Sequence, residues 1–359
     1  MTDLIATLDK DLPHYLFKEV RSELMDFIDS ASPGEVAFLI GSTGVGKKTV
    51  LESSLKKTLK SHEKNREKNP QLMPVAVEKL EPVLDQKTYI TELIESLTSQ
   101  LLPRFNIPAE SERKILMYER ISNRLTPEKK RQQLEQTLKE RGTKILALYD
   151  AHLLPSKRSF RQQVFETFQS IAANSDCALI IVGDYKIRDL EYASTSFLCS
   201  STFIHFPVYS PYTNEKHKDA WKNIIGVIIS KLPDCYGDSI VKMDSEILSR
   251  SLGSYGLLVD WIKKAIRFKQ QKRNNRKSFQ QCLVHTQKSD RQLIPIQDDI
   301  DSFIEEQKDK KLRTKLRNNQ SATKSIESTK KRNSRPGKSN SGERIEVRRS
   351  EIANPPKAR

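Results

Sequence analysis

Runs of consecutive apolar residues alternate along this chain with longer stretches in which apolar residues recur every three or four positions. That alternation predicts buried strands separated by helices. Leu16, Val20, Leu24, Phe27 and Ile28 fall at helical spacing, so residues 1–30 are expected to hold an amphipathic helix leading into the first strand. His14, just after Pro13, is expected as a capping or surface histidine. Val36–Ile40 is the first apolar run, and a lysine-rich helical pattern follows from Thr49 to about Ser61. Met73–Leu80 reads as a second strand with Pro74 at its start, where a missing N–H does least harm. Ile90, Leu93, Ile94 and Leu97 share one face of a helix over Thr88–Leu102. Residues 104–141 are charged and helical in pattern, with Gly142 as a stop. Further strands are predicted over Lys144–Leu154, Cys177–Asp184 and Phe203–Val208, with a helix over Ser159–Ala173 between the first two. Such a succession predicts a mostly parallel sheet covered by helices, an α/β fold.

From Asn214 the pattern is wholly helical. Trp221, Ile224, Ile225, Ile228 and Leu232 mark one helix, Ile247–Leu252 a short second, and Leu257 to Ile266 a third, together a small all-α lid. The expected organisation is an N-terminal lead-in (1–30), an α/β core (31–212), a helical lid (213–285) and a basic, largely disordered C-terminal tail (286–359). Residues 303–359 hold 17 Lys+Arg against 7 Asp+Glu and almost no apolar anchors, a composition that cannot form its own core.

Charge adds a class of partner. The chain carries 62 Lys+Arg against 46 Asp+Glu, a formal charge of +16, which favours an anionic partner, with nucleic acid ahead of a membrane surface. No apolar run approaches the length of a membrane span, and the N-terminus lacks a basic leader, so a cytoplasmic protein is expected. Cys177, Cys199, Cys235 and Cys282 are widely spaced and read as reduced thiols rather than a metal set. The last lid helix runs into a basic stretch that includes Lys263, Lys264, Arg267, Lys269, Lys272 and Arg273, the candidate duplex-binding face.

The chemistry concentrates after the first strand. Gly41-Ser42-Thr43-Gly44-Val45-Gly46-Lys47-Lys48-Thr49 follows the phosphate-loop pattern, in which glycines let backbone N–H groups converge on a polyphosphate and a lysine reaches its terminal phosphates. The pattern wants a hydroxyl after the lysine to ligate Mg²⁺. Lys48 stands there, and Thr49 comes one residue late. The run Ile145–Asp150 looks like the apolar strand that ends Asp-Glu beside the phosphate loop of such ATPases, but only one acid is present. Either Asp150 is the metal-side acid and Ala151 replaces the base, or Tyr149 replaces the acid and Asp150 holds the base position; the Ala151-His152-Leu153-Leu154 continuation favours the second. Thr49 and Asp150 are thus the only candidate metal ligands. Asp184, at the tip of its strand, is a candidate γ-phosphate sensor or a turn former.

Taken together, the Pro13-His14 entry, the phosphate loop, the Ile145–Leu154 strand, the Ala178–Gly183 strand and the segment Gly253-Ser254-Tyr255-Gly256 with Asp260, Trp261 and Ala265 resemble AAA+ ATPases, more narrowly TnsC/TniB-type regulators of DNA transposition. The resemblance covers about residues 14–268. It implies ATP binding between subunits, rings or filaments on duplex DNA without sequence preference, and recruitment of a transposase together with target-selection proteins. The chain departs from the family at Lys48, at the reduced acid pair, and over Thr195–His205, where no arginine faces the neighbour's nucleotide. Those departures imply weak or lost hydrolysis. An active ATPase switch, a nucleotide-free adaptor and a replication-initiator-like protein are the alternatives.

Overall fold

The computed structural model describes residues 14–83, 85–101, 125–155, 157–187, 201–210, 214–271 and 273–308. Five strands, β1 (Val36–Gly41), β2 (Val75–Lys79), β3 (Ile145–Tyr149), β4 (Ala178–Gly183) and β5 (Ser201–Phe206), form one parallel sheet in the order β2-β3-β4-β1-β5. β1 and β4 are buried along their whole length, as continuous apolar runs in a sheet covered on both faces must be. The acid-ending strand β3 is therefore separated from the phosphate-loop strand by β4 instead of lying beside it. Strand adjacency is set by crossover topology, which spacing along the chain does not encode.

The covering helices are α1 (Tyr15–Ser30), α2 (Lys47–Ser61), the short α3 (Glu63–Lys68), α4 (Tyr89–Leu101), α5 (Pro127–Glu140) and α6 (Arg158–Asn174). α6 buries Phe160, Val164, Phe165, Phe168 and Ile171 on one face, and Phe165 meets Phe38 of β1 edge-on. Residues 104–124 of the predicted 104–141 helix lie outside the described residues. His14 caps α1: its Nδ1 accepts the N–H of Phe17 (3.3 Å) and lies 2.8 Å from the hydroxyl of Tyr209, while the Tyr209 oxygen accepts the N–H of Leu16 (3.2 Å). The cap is buried, not a surface residue.

The segment expected to form the lid holds α7 (Glu215–Ser230), α8 (Asp234–Lys242), α9 (Asp244–Ser251), α10 (Tyr255–Gln270) and α11 (Phe279–Thr286), within the same compact unit as the sheet. Trp221, Ile247, Trp261 and Ile262 are buried in it, and Trp261 Nε1 donates to the Leu283 carbonyl, tying α10 to α11. Residues 290–303 form a further helix, α12, although composition placed them in a disordered tail. Leu293, Ile300 and Phe303 are buried, and Phe303 stacks on Tyr185 at 4.5 Å and lies 4.3 Å from His205. Residues 304–359 fall into a separate unit, of which 304–308 are described and helical. Among the described residues no helix is long and apolar enough to cross a membrane.

Candidate functional site

The site grows out of the end of β1. The chain leaves the sheet at Gly41, turns through Ser42–Gly46 and enters α2, with Gly46 in the left-handed region (φ 103°) as the helix cap. A side chain at that φ would be strained, so glycine is what lets the loop wrap and deliver the helix N-terminus. No side chain caps α2, and the first N–H groups of a helix lack intrahelical partners. Together with the helix dipole they form an anion seat.

The lysine is already folded into that seat. Lys47 Nζ donates to the carbonyls of Gly41 (2.8 Å) and Ser42 (2.7 Å). Burial pushes its pKa down to about 8, with Asp184 and Asp150 pulling the other way. Ser42 Oγ is buried and without a hydrogen-bond partner among the described residues, a polar atom at the base of the loop that a phosphate oxygen would satisfy. On these observations the loop fits a nucleoside triphosphate. The cleft it borders has a volume of about 370 Å³ and is lined by Thr43, Gly44, Gly46–Thr49, Tyr149, Asp150, His152, Gly183, Asp184 and Gly256. Val45, on the same loop, is buried in the core beneath it.

The lid touches the loop directly. Gly256 N–H donates to the Gly44 carbonyl (2.7 Å), and Ser254 Oγ donates to that of Thr43 (3.2 Å). A Cβ at position 256 would fall 2.3 Å from Gly44 O, so glycine is what permits the contact. Sequence reading assigned this segment to the lid motif but gave no sign that it bonds to the phosphate loop.

The metal side of the site is different. Lys48 Nζ lies 5.3 Å from the ring centroid of Tyr149 and 3.9 Å from Glu52. Asp150 follows the last residue of β3 in a left-handed conformation (φ 61°), with its carboxylate 3.9 Å from Lys79 Nζ. Thr49 reaches the cleft wall, but one step along a helix turns a side chain by about 100° from the place where the loop pattern puts its hydroxyl. Mg²⁺ demands near-octahedral oxygen ligation. Its usual protein ligands in such a loop are the hydroxyl after the lysine and an acid at the strand end, and an ammonium and a phenol ring stand at those two positions, so they do not fit the ion.

Asp184 lines the cleft and also accepts the Lys186 N–H at 3.0 Å, so the turn and the cleft position coexist. His205, the one basic residue in the arginine-free stretch, lies 3.0 Å from the Tyr185 hydroxyl through Nε2 and packs against Phe303. Most of that stretch lies outside the described residues. The candidate duplex-binding residues separate into groups. Arg267 and Arg273 are exposed, Lys263 is half-buried, and Lys264 pairs with Asp260 at 2.8 Å. Lys269 Nζ donates to the carbonyls of Asn275 (3.0 Å) and Lys277, bracing the loop between α10 and α11. Lys272 lies outside the described residues.

Residues 31–191 match the family model of an AAA domain. Among solved structures, the Aeropyrum pernix ORC1 protein, determined in complex with DNA, is 14% identical over 79% of this chain and 68% of its own, with a TM-score of 0.51. This is a P-loop AAA+ fold. Cdc6p from Pyrobaculum aerophilum is 20% identical over 76% of this chain and 65% of its own (TM-score 0.45). Domain III of the Thermotoga maritima replication initiation protein DnaA is 13% identical over 75% and 90% (TM-score 0.40). Comparison with the curated proteins finds no match. Within the AAA+ fold the matched region runs from the end of α1, through the phosphate loop, to just past Asp184, so it contains every cleft residue except Gly256.

Proposed function

We propose that this chain is an ATP-binding, DNA-binding AAA+ regulator that assembles on duplex DNA and cuts its nucleotide slowly or not at all. The observation that carries this reading is the path of α10. Its first turn bonds to the phosphate loop through Gly256, and its last turn leads into the braced loop that carries Arg273, Arg276 and Lys277. One rigid helix thus joins the nucleotide seat to exposed cations, so a nucleotide that moves the phosphate loop also moves the candidate DNA surface. Weak hydrolysis follows from Lys48 at the hydroxyl position and from an acid pair reduced to Asp150, since positioning and charge stabilisation supply nearly all of the rate in phosphoryl transfer.

The narrower reading, a transposition regulator of the TnsC/TniB type that recruits a transposase and responds to target-selection proteins, rests on the motif resemblance over residues 14–268. The test is fluorescence anisotropy with duplexes of unrelated sequence at low salt, with and without a non-hydrolysable ATP analogue. Salt-sensitive, sequence-indifferent binding that tightens with the analogue is expected. No duplex affinity in either condition would refute the proposal.

A further inference from the structure

P-loop NTPases hold Mg²⁺ between the hydroxyl that follows the loop lysine and the acid at the end of a nearby strand. In this chain the same two places are Lys48 and Tyr149, and they meet as an ammonium over an aromatic ring, 5.3 Å apart. Tyr149 is the last residue of β3, and in the register that the Ala151–Leu154 continuation favours it takes the acid position and Asp150 the next one. The β2–β3 register sets Lys79 opposite Tyr149, and Lys79 Nζ lies 3.9 Å from the Asp150 carboxylate. Each change moves the charge at the metal position the same way. A hydroxyl has become a cation, an acid has become a neutral ring, and the remaining acid faces a second cation. A divalent ion placed there would meet the Lys48 ammonium where other P-loop proteins offer a hydroxyl, and a ring where they offer an acid.

From this arrangement we infer that the chain binds nucleoside triphosphate without a divalent metal, with the Lys48 ammonium supplying the positive charge that Mg²⁺ supplies in other P-loop proteins. The inference rests on the nucleotide-binding reading above and adds the ionic form of the ligand: the free polyanion, not its magnesium complex. The Tyr149 ring holds Lys48 at the cleft, where a cation over an aromatic face is favoured. Its alternative partner, Glu52, is an exposed contact at 3.9 Å, and such pairs contribute little, so Lys48 is available to a phosphate oxygen.

The experiment is a titration of the full chain with a fluorescent ATP analogue, once in excess MgCl₂ and once in excess EDTA. Dissociation constants within about twofold of each other are expected. Binding at least tenfold weaker in EDTA would overturn the inference while leaving the nucleotide-binding reading intact, whereas no binding in either buffer would refute both. The paired substitution Lys48→Thr with Tyr149→Asp restores the usual ligands and should make binding at least tenfold tighter with Mg²⁺ than with EDTA. A folded double variant indifferent to metal would overturn the roles given to these two residues. Should the double variant fail to fold, Lys48→Met serves in its place: an equal loss of about tenfold in both buffers supports the inference, and unchanged affinity overturns it.

Discussion

Lys47 is a cation folded into its own binding site, and removing it should stabilise the ligand-free protein. Its ammonium is held by the Gly41 and Ser42 carbonyls, while burial lowers its pKa from 10.5 to about 8. At about 1.36 kcal/mol per pKa unit, the charged form is disfavoured in the folded chain by about 3 kcal/mol, and by about 1–2 kcal/mol once the screening of a half-buried side chain is allowed for. Lys47→Met keeps the length and the apolar stem and deletes the charge. In ligand-free protein at pH 7 it should raise stability by about 1–2 kcal/mol, a rise in melting temperature of about 1–3 °C for a chain of this size. The sign with pH is a second check. Between pH 8 and 10.5 the unfolded chain binds the proton that folded Lys47 gives up, so wild-type stability gains from this group as pH rises, and its deficit against the variant should close over that window. Urea unfolding at pH 7 and pH 10 measures both quantities. A variant less stable than wild type at pH 7, with a difference that does not change with pH, would refute the reasoning.

Perturbations elsewhere in the fold have equally defined effects. His14 is held neutral by burial, its pKa pushed down from 6.5 to about 4, so stability should fall as pH drops from 6.5 towards 4, by up to about 3 kcal/mol; His14→Gln should flatten that dependence in urea titrations. Gly256→Ala drives a Cβ to 2.3 Å from the Gly44 carbonyl and breaks the lid-to-loop hydrogen bond, so it should cost about 1–3 kcal/mol and uncouple duplex affinity from nucleotide in the anisotropy assay. Replacing Arg273 and Arg276 with Ala should weaken binding to all duplexes alike and reduce the slope of log affinity against log salt by up to about 1.8, at about 0.9 for each phosphate that an arginine no longer neutralises.

What the sequence disclosed follows from how local each signal is. The apolar runs of β1 and β4, the glycine-punctuated loop and the helical spacing of the lid are contiguous patterns, and each became the element expected of it within a few residues. The relation between Lys48 and Tyr149 joins residues a hundred positions apart through a sheet order that spacing does not carry. Their identities at the two metal positions were nevertheless visible, and they were the only available signal. α12 was missed for a different reason: it fell within the stretch from 286 assigned to a basic, disordered tail, while Leu293, Ile296, Ile300 and Phe303 kept helical spacing throughout. The basic run read as one face, yet Lys264 and Lys269 are engaged within the protein, because a long cationic side chain near carbonyls or a carboxylate one turn away finds those partners first.

Under the proposed function, the phosphate loop keeps its grip on ATP and has lost most of the means to cut it. The most direct measurement is to load the full chain with radiolabelled ATP, remove free nucleotide by gel filtration, and identify the bound nucleotide by chromatography over an hour. Retained ATP, in wild type but not in Lys47→Ala, is the predicted result. Rapid conversion of the bound ATP to ADP, or no retained nucleotide at all, would contradict it.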